Sequence, residues 1–391
     1  MNLLIGTGHF FSHFYILTLP PLFFAWHEDF GVSYAWLGAS VALMAGTTAI
    51  LQTPAGYLVD RYGAKIFLVG GTTLMAVAVA TMAAATSFWH ILVLAVLSGT
   101  GNAVFHPADY AVLSGSIPRE RLGRAFAFHL FTGHLGFALA PPVVVFLALT
   151  IGWRFAVLAV GLMGIPVVVA IILQSSILSD QQSDPDVQTP SRRARGSVIF
   201  TRPMLLFFAF FMFGAMAQAG VQSWLITVLQ TVNGVRIEIA GWALTAFVGG
   251  TVGGVLVGGW LADRSGARHL LIASVLIVVS ASMILAIGVL PLPIILIFLL
   301  LSISGLSFGA SRVSRDIIVK NATPTGQIGV VFGFVSAGLP LGQALTPVPF
   351  GYLIDLGHAE YVLVAVAGIL MLSILCGGGA NLGRRTDTQD S

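Results

Sequence analysis

The sequence predicts an all-α polytopic membrane protein of 12 transmembrane helices, built as two pseudo-symmetric six-helix bundles. Three observations carry that prediction. Only 8% of the residues are Asp, Glu, Lys or Arg and 57% are hydrophobic, whereas soluble domains run near 25% charged. The apolar residues come in blocks long enough for helices of about 20 residues, the length that crosses a bilayer. The two halves of the chain also repeat one another at a nearly constant offset.

Taken in order, breaks in hydropathy place spans near 3–26, 36–59, 66–86, 90–113, 123–149 and 153–174. After a polar gap come 204–230, 238–262, 268–290, 293–317, 327–353 and 359–380. Span one has no basic leader and too long an apolar core for a cleavable signal, so it reads as a retained helix. It carries His9 and His13. Span four holds "GNAVFHPADYAVLSG", with His106, Pro107 and Asp109 inside an apolar run, and span five holds His129 and His134. Span seven carries Gln218, Gln222 and Trp224. In span eight Gly250, Gly254 and Gly258 recur every four residues, a small-residue stripe that lets helix backbones approach closely. Span ten carries Arg312, Arg315 and Asp316. Span twelve holds Cys376, the single cysteine, which excludes an internal disulfide and any multi-cysteine metal site.

The bundles occupy residues 1–174 and 204–380. The hydrophilic stretch 175–203 reads as a disordered cytoplasmic linker and 381–391 as a cytoplasmic tail. With the linker inside, Arg61, Lys65, Arg119, Arg121, Arg124, Arg192, Arg193, Arg195, Arg202, Arg264, Arg268, Arg384 and Arg385 lie on the cytoplasmic side, and only Arg154 and Arg236 lie outside. That asymmetry predicts a multi-pass protein of a bacterial inner membrane with both termini cytoplasmic.

The repeat is readable residue by residue. "GYLVDRYGAK" (56–65) matches "GWLADRSGAR" (259–268) at an offset of 203. Further on, an offset of 206 pairs Gly99 with Gly305, Pro118 with Pro324, Gly123 with Gly329, Gly136 with Gly342 and Pro141 with Pro347. Two similar six-helix bundles in the same orientation is a transporter architecture. The doubled loop, with Gly56, Asp60, Arg61, Gly63 and Lys65 in one copy and Gly259, Asp263, Arg264, Gly266 and Arg268 in the other, resembles the G-x-x-x-D-R-x-G-R/K motif of the major facilitator superfamily. Gly152-Trp153-Arg154 at the start of span six resembles the same superfamily. Within it, the "FHP" of span four resembles transporters of the fosmidomycin-resistance type. Gly133 to Pro142 is similar to the antiporter motif G-x-x-x-G-P-x-x-G-G but departs from it. Ala140 stands in place of the glycine before the proline, and Val144 and Val145 replace the final glycines.

The resemblance implies alternating access, with spans one, four, seven and ten lining a central cavity. Most of the ionisable residues inside spans fall on that set. Each central charge costs about 2.5–3.5 kcal/mol on insertion scales, so such residues are expected to serve function. Arg312, Arg315 and Asp316 can share one helical face. Arg312 lies deeper and is the candidate contact for an anionic solute, while Arg315 and Asp316 read as part of a cytoplasmic-side gate. The offset of 206 aligns His106 with Arg312, which predicts similar depths on opposite walls.

Histidine titrates near neutrality, so His106 and His13 suit proton coupling. Pro107 is expected to perturb the helix and free a carbonyl. Asp109 either takes a proton or pairs with the Arg61 loop, and the pairing is the favoured reading. His9 and His13, four apart, have metal-ligand spacing. No acidic or cysteine partner is expected beside them at mid-membrane, so cavity lining is preferred and no metal is assigned. Gln218, Gln222 and Trp224 are candidate neutral wall residues or interhelical contacts. Asp60, Arg61, Gly63, Lys65, Asp263, Arg264, Gly266 and Arg268 are candidate gating residues, because charges at helix ends can hold one conformation.

The expected function is secondary active transport of a small organic, anionic or zwitterionic solute, coupled to protons. Drug efflux by antiport and organic-acid uptake by symport both remain open. Metal-ion transport and a non-transporting receptor are less favoured. No G-x-x-x-x-G-K-[ST] phosphate loop occurs, so ATP is not the direct energy source. No nucleophile–base pair or other enzyme site is evident. No cofactor and no nucleic acid partner is expected, and the protein is expected to act as a monomer in the bilayer.

Overall fold

The structure, a computed structural model, describes residues 2–117, 119–174, 200–264, 266, 268–323 and 328–387. Most of the linker expected at 175–203, and the Pro118–Pro324 pair of the repeat, lie outside the described residues. Among those described there is no β-strand. The first half contains α1 (Asn2–Ile16), α2 (Phe23–Phe30), α3 (Tyr34–Tyr62), α4 (Ala64–Thr81), α5 (Phe88–Ala103), α6 (Phe105–Ser116), α7 (Arg119–Ile151), α8 (Trp153–Met163) and α9 (Ile165–Leu173). The second half contains α10 (Arg202–Thr231), α11 (Ile237–Arg264), α12 (His269–Val289), α13 (Ile294–Ala322), α14 (Ile328–Ser336), α15 (Gly338–Leu345), α16 (Pro347–Asp355) and α17 (Glu360–Asp387).

Eleven stretches of the described residues are long and apolar enough to cross a membrane. The first expected span is the exception, because it breaks into α1, a short 3-10 turn at Pro20–Leu22, and α2. Proline accompanies this and three further interruptions, although Pro54 lies within the continuous α3 and Pro141 and Pro142 within the continuous α7. A proline has no N–H to offer the carbonyl four residues back. Accordingly α1 ends at Ile16 before Pro20, α5 at Ala103 before Pro107, α14 at Ser336 before Pro340, and α15 at Leu345 before Pro349. The disturbance expected at Pro107 therefore separates α5 from α6 at Val104, and the chain resumes hydrogen bonding with Ala108 N–H to Val104 O at 3.1 Å.

The chain forms two compact units. One gathers the first-half helices together with Arg236–Thr245 and Pro347–Asp355, and the other gathers the rest of the second half. In the first unit, α3 packs on α5 and α1 on α7. In the second, α12 packs on α13 and α10 on α17.

Small residues set the closest approaches. A Cβ on Gly99 would strike the carbonyl of Met44, and one on Gly305 would strike the carbonyl of Phe247. Met44 and Phe247 are themselves 203 residues apart, so the two units use the same joint at matching positions. Thr48 and Thr251, again 203 apart, each bond back to that carbonyl at 3.0 Å. The stripe on α11 works the same way: a Cβ on Gly250, Gly254 or Gly258 would meet the backbone of α13 at Ser302, Leu306 or Ala310.

Within the first unit, Asp355 at the end of α16 caps α3. Tyr34 N–H donates to its Oδ1 at 2.7 Å and Ala35 N–H to its Oδ2 at 2.9 Å. A carboxylate there meets both the free N–H groups and the positive end of the helix dipole. Asp29, at the end of α2, accepts from Trp153 Nε1 at 2.7 Å and lies 3.6 Å from Arg154. The Gly152-Trp153-Arg154 segment is thereby fixed to α2, and Gly152 supplies the positive φ of +80° that turns α7 into α8.

Candidate transport site

α1, α6 and α7 bring five histidines together in the first unit. Gly133 and Gly136 on α7 make this possible, since a Cβ on Gly133 would land on the His9 ring and one on Gly136 on the Phe10 carbonyl. α1 can therefore lie directly on α7. His9 stacks on His129 with ring centroids 3.6 Å apart and planes within 9°. His13 meets His9 edge-on at 4.3 Å, and His106 stands 5.4 Å from His9 and 5.9 Å from His13. His134 lies 6.3 Å from His13. In the sequence His129 and His134 stand out only as ionisable residues inside span five. The glycine pair four and seven residues after His129 was the available signal for it.

Asp109 closes the cluster. It is wholly buried, and its Oδ2 lies 3.6 Å from Nε2 of His129, which is 1% exposed. The expected pairing of Asp109 with the Arg61 loop is not what the structure shows. Arg61 is exposed at the end of α3, with its guanidinium 5.3 Å from the Tyr62 ring. The reason is register: Asp109 sits three residues after His106 on α6 and so shares its face. The expectation that no acidic residue accompanies the histidines is corrected by the same observation.

The polar atoms of this cluster are under-satisfied. His9 Nδ1 bonds to the His129 carbonyl at 2.7 Å. His9 Nε2, His13 Nδ1, His106 Nδ1, both ring nitrogens of His129 and both oxygens of Asp109 are buried without a hydrogen-bond partner. Leaving one such group unmet costs about 1–3 kcal/mol.

In the second unit, Arg315 is 7% exposed and gives both Nε and Nη2 to Asp316 Oδ1, at 3.0 and 2.9 Å. Its guanidinium also lies 3.6 Å from the Phe211 ring centroid. Asp316 thus serves Arg315, and among the described residues no carboxylate forms an ion pair with Arg312. On α10, Trp224 is fully buried and Gln222 is buried, while Gln218 lines a small pocket with Phe247, Ser280 and Phe308.

The two copies of the loop motif end α3 and α11 in the same way. Gly63 and Gly266 adopt positive φ of +89° and +55°, which turn the chain out of α3 and α11. Asp60, Arg61, Asp263, Arg264 and Arg268 are exposed and Lys65 is partly so. None of these charges forms an ion pair among the described residues, although Arg264 covers the Trp260 ring at 4.0 Å.

Comparison with known proteins agrees with this architecture. The chain is similar to the fosmidomycin resistance protein of Escherichia coli, 26% identical over 372 residues that cover 92% of this chain and 87% of that one. It is similar to a "Probable sulfoacetate transporter" of Cupriavidus necator, 24% identical over 88% of this chain and 84% of that one. A "Probable L-galactonate transporter" of E. coli is 26% identical over 138 residues, which are 35% of this chain and 30% of that protein. Among solved structures, a bacterial homologue of the human lysosomal transporter Spinster, in an inward-facing and occupied conformation, has the same fold. Its TM-score is 0.83 at 15% identity, over 100% of this chain and 97% of that one. The superfamily pattern matches residues 5–238 and 225–379, essentially the whole chain. With its membrane-spanning helices, its repeated bundles and its doubled loop motif, the chain belongs to the Major Facilitator Superfamily of secondary transporters.

Proposed function

We propose that this protein moves a small organic anion across a bacterial inner membrane, with proton coupling through the cluster of His106, His13 and Asp109. Arg312 supplies the positive contact for the solute. The observation that carries the reading is the division of labour on α13: Asp316 pairs with Arg315, and among the described residues no carboxylate forms an ion pair with Arg312. A membrane-embedded guanidinium is costly unless an anion meets it. Two relatives whose names specify organic anions, sulfoacetate and L-galactonate, support the same substrate class. Asp60, Arg61, Lys65, Asp263, Arg264 and Arg268 form the gate, pairing in a conformation other than this one. Both termini face the cytoplasm, and the working unit is a monomer.

Export of an antibiotic in exchange for protons is the second reading, favoured by the match to the fosmidomycin resistance protein over most of both chains. Thermal unfolding of the purified protein with sulfoacetate, L-galactonate, fosmidomycin, and neutral and cationic solutes tests the anion assignment. A ligand at 100 times its Kd adds about 2.7 kcal/mol of stability, enough to see. Stabilisation by anions that disappears in Arg312→Gln is the expected result. Equal stabilisation of both proteins, or stabilisation by cations alone, would overturn it.

A further inference from the structure

We propose that His9, His106, His129 and Asp109 form a binding site for one borderline divalent cation of the zinc, cobalt or nickel type. The site does not depend on which organic solute the protein moves, but it shares His106 and Asp109 with the proposed proton path, so a bound cation and a coupling proton compete for these groups.

The geometry carries this in four steps. First, one metal-binding nitrogen from each of the three histidines lies within 4.8 Å of the others. A cation held by nitrogens at about 2.0–2.1 Å draws its ligand atoms to about 3.4 Å apart in a tetrahedral shell. The rings therefore need to close by roughly an ångström, a side-chain adjustment. Because His9 and His129 stack in parallel, one ring must also turn. His129 is the one able to do so, since neither of its ring nitrogens holds a hydrogen bond.

Second, the tautomer of His9 is set for coordination. The His129 carbonyl can only accept, so Nδ1 of His9 carries the hydrogen at 2.7 Å and Nε2 carries the lone pair. A ligating histidine whose other nitrogen donates to a backbone carbonyl is the usual outer-shell arrangement of metal sites. The free Nε2 is buried with no other partner. Third, Asp109 supplies the negative charge, wholly buried and with neither oxygen hydrogen-bonded. A dication at this point answers the carboxylate and the imidazole lone pairs together.

Fourth, the donor set selects the ion. Imidazole suits zinc, nickel, copper and iron, whereas magnesium and calcium prefer all-oxygen shells. The first unit contains no cysteine, so its own donors are imidazoles and a carboxylate. His13, whose ring meets His9 at 4.3 Å, stands beside the site as a further donor.

The test uses full-length protein purified without a polyhistidine tag and stripped with chelator, in detergent, with no solute and no gradient. Its outcome therefore does not depend on transport. Zinc chloride is titrated by calorimetry, and cobalt chloride is followed by its visible ligand-field absorption. The expected result is one saturable cation per chain, no response to magnesium, and affinity weakened at least about 10-fold by His106→Gln and by Asp109→Asn. His90→Gln, on α5 outside the cluster, should leave affinity unchanged. Unaltered affinity in both cluster variants, or no saturable binding by the parent, would overturn the site. If a variant does not fold, X-ray absorption on the zinc-loaded parent decides. Three imidazoles with a carboxylate oxygen supports the assignment, and fewer than two imidazoles refutes it.

Discussion

Asp109 Oδ2 lies 3.6 Å from His129 Nε2, with both side chains shut away from solvent and joining α6 to α7. A carboxylate and an imidazole so placed can exchange one proton without exposing a net charge to the interior. Asp109→Asn should therefore abolish accumulation driven by a pH gradient while leaving solute exchange across the membrane. Counterflow and gradient-driven uptake measured on the same proteoliposomes separate the two activities. Loss of both to the same degree would argue against a coupling role.

Arg312 and Arg315 stand one turn apart on α13 but should respond differently. Arg312→Gln should raise the solute's KM by at least about 10-fold, the loss of one charge-assisted contact of about 1.5–3 kcal/mol. Arg315→Gln removes the ion pair to Asp316 and the stacking on Phe211. It should lower stability and the rate of conformational exchange more than KM. Solute-dependence curves and thermal unfolding of both variants test this.

Gly254 and Gly249 provide a matched pair on α11. A Cβ at Gly254 would strike the Leu306 carbonyl, whereas nothing lies within 4 Å of one at Gly249. Gly254→Ala should destabilise by about 1–3 kcal/mol, as overpacking does. Gly249→Ala should be neutral or stabilising by up to about 1 kcal/mol through helix propensity. Detergent-resistance or unfolding midpoints distinguish them.

The Asp355 cap on Tyr34 and Ala35 should contribute about 0.5–2 kcal/mol to the start of α3. Asp355→Ala should speed hydrogen exchange at the first turn of α3 and shift thermal unfolding downward. Asp355→Asn, which keeps an acceptor but loses the charge, should fall between the two.

Much of this was legible in the sequence because it depends on local chemistry. Hydropathy blocks locate the spans. Pro20, Pro107 and Pro340 mark helix ends by removing one donor each. The offsets of 203 and 206 predict the matched Gly99 and Gly305 joints. What pattern reading did not supply is the rotation of one helix against another. Asp109 and His129 are 20 residues apart on different helices, and nothing local says that their faces meet. The same limit sent Asp109 to the Arg61 loop. His129 likewise gains its neighbours only through Gly133 and Gly136, which admit α1. The partnership of Arg315 with its immediate neighbour Asp316 follows from side-chain reach, which the shared-face argument only partly anticipates.

The most direct test of the account is flux into proteoliposomes holding the purified protein, with a pH gradient imposed and a panel of labelled organic anions outside. The account predicts saturable uptake of at least one anion that rises with the gradient, collapses with a protonophore, and is lost in Arg312→Gln. Flux that ignores the gradient, or no flux of any anion while neutral or cationic solutes move, would contradict it.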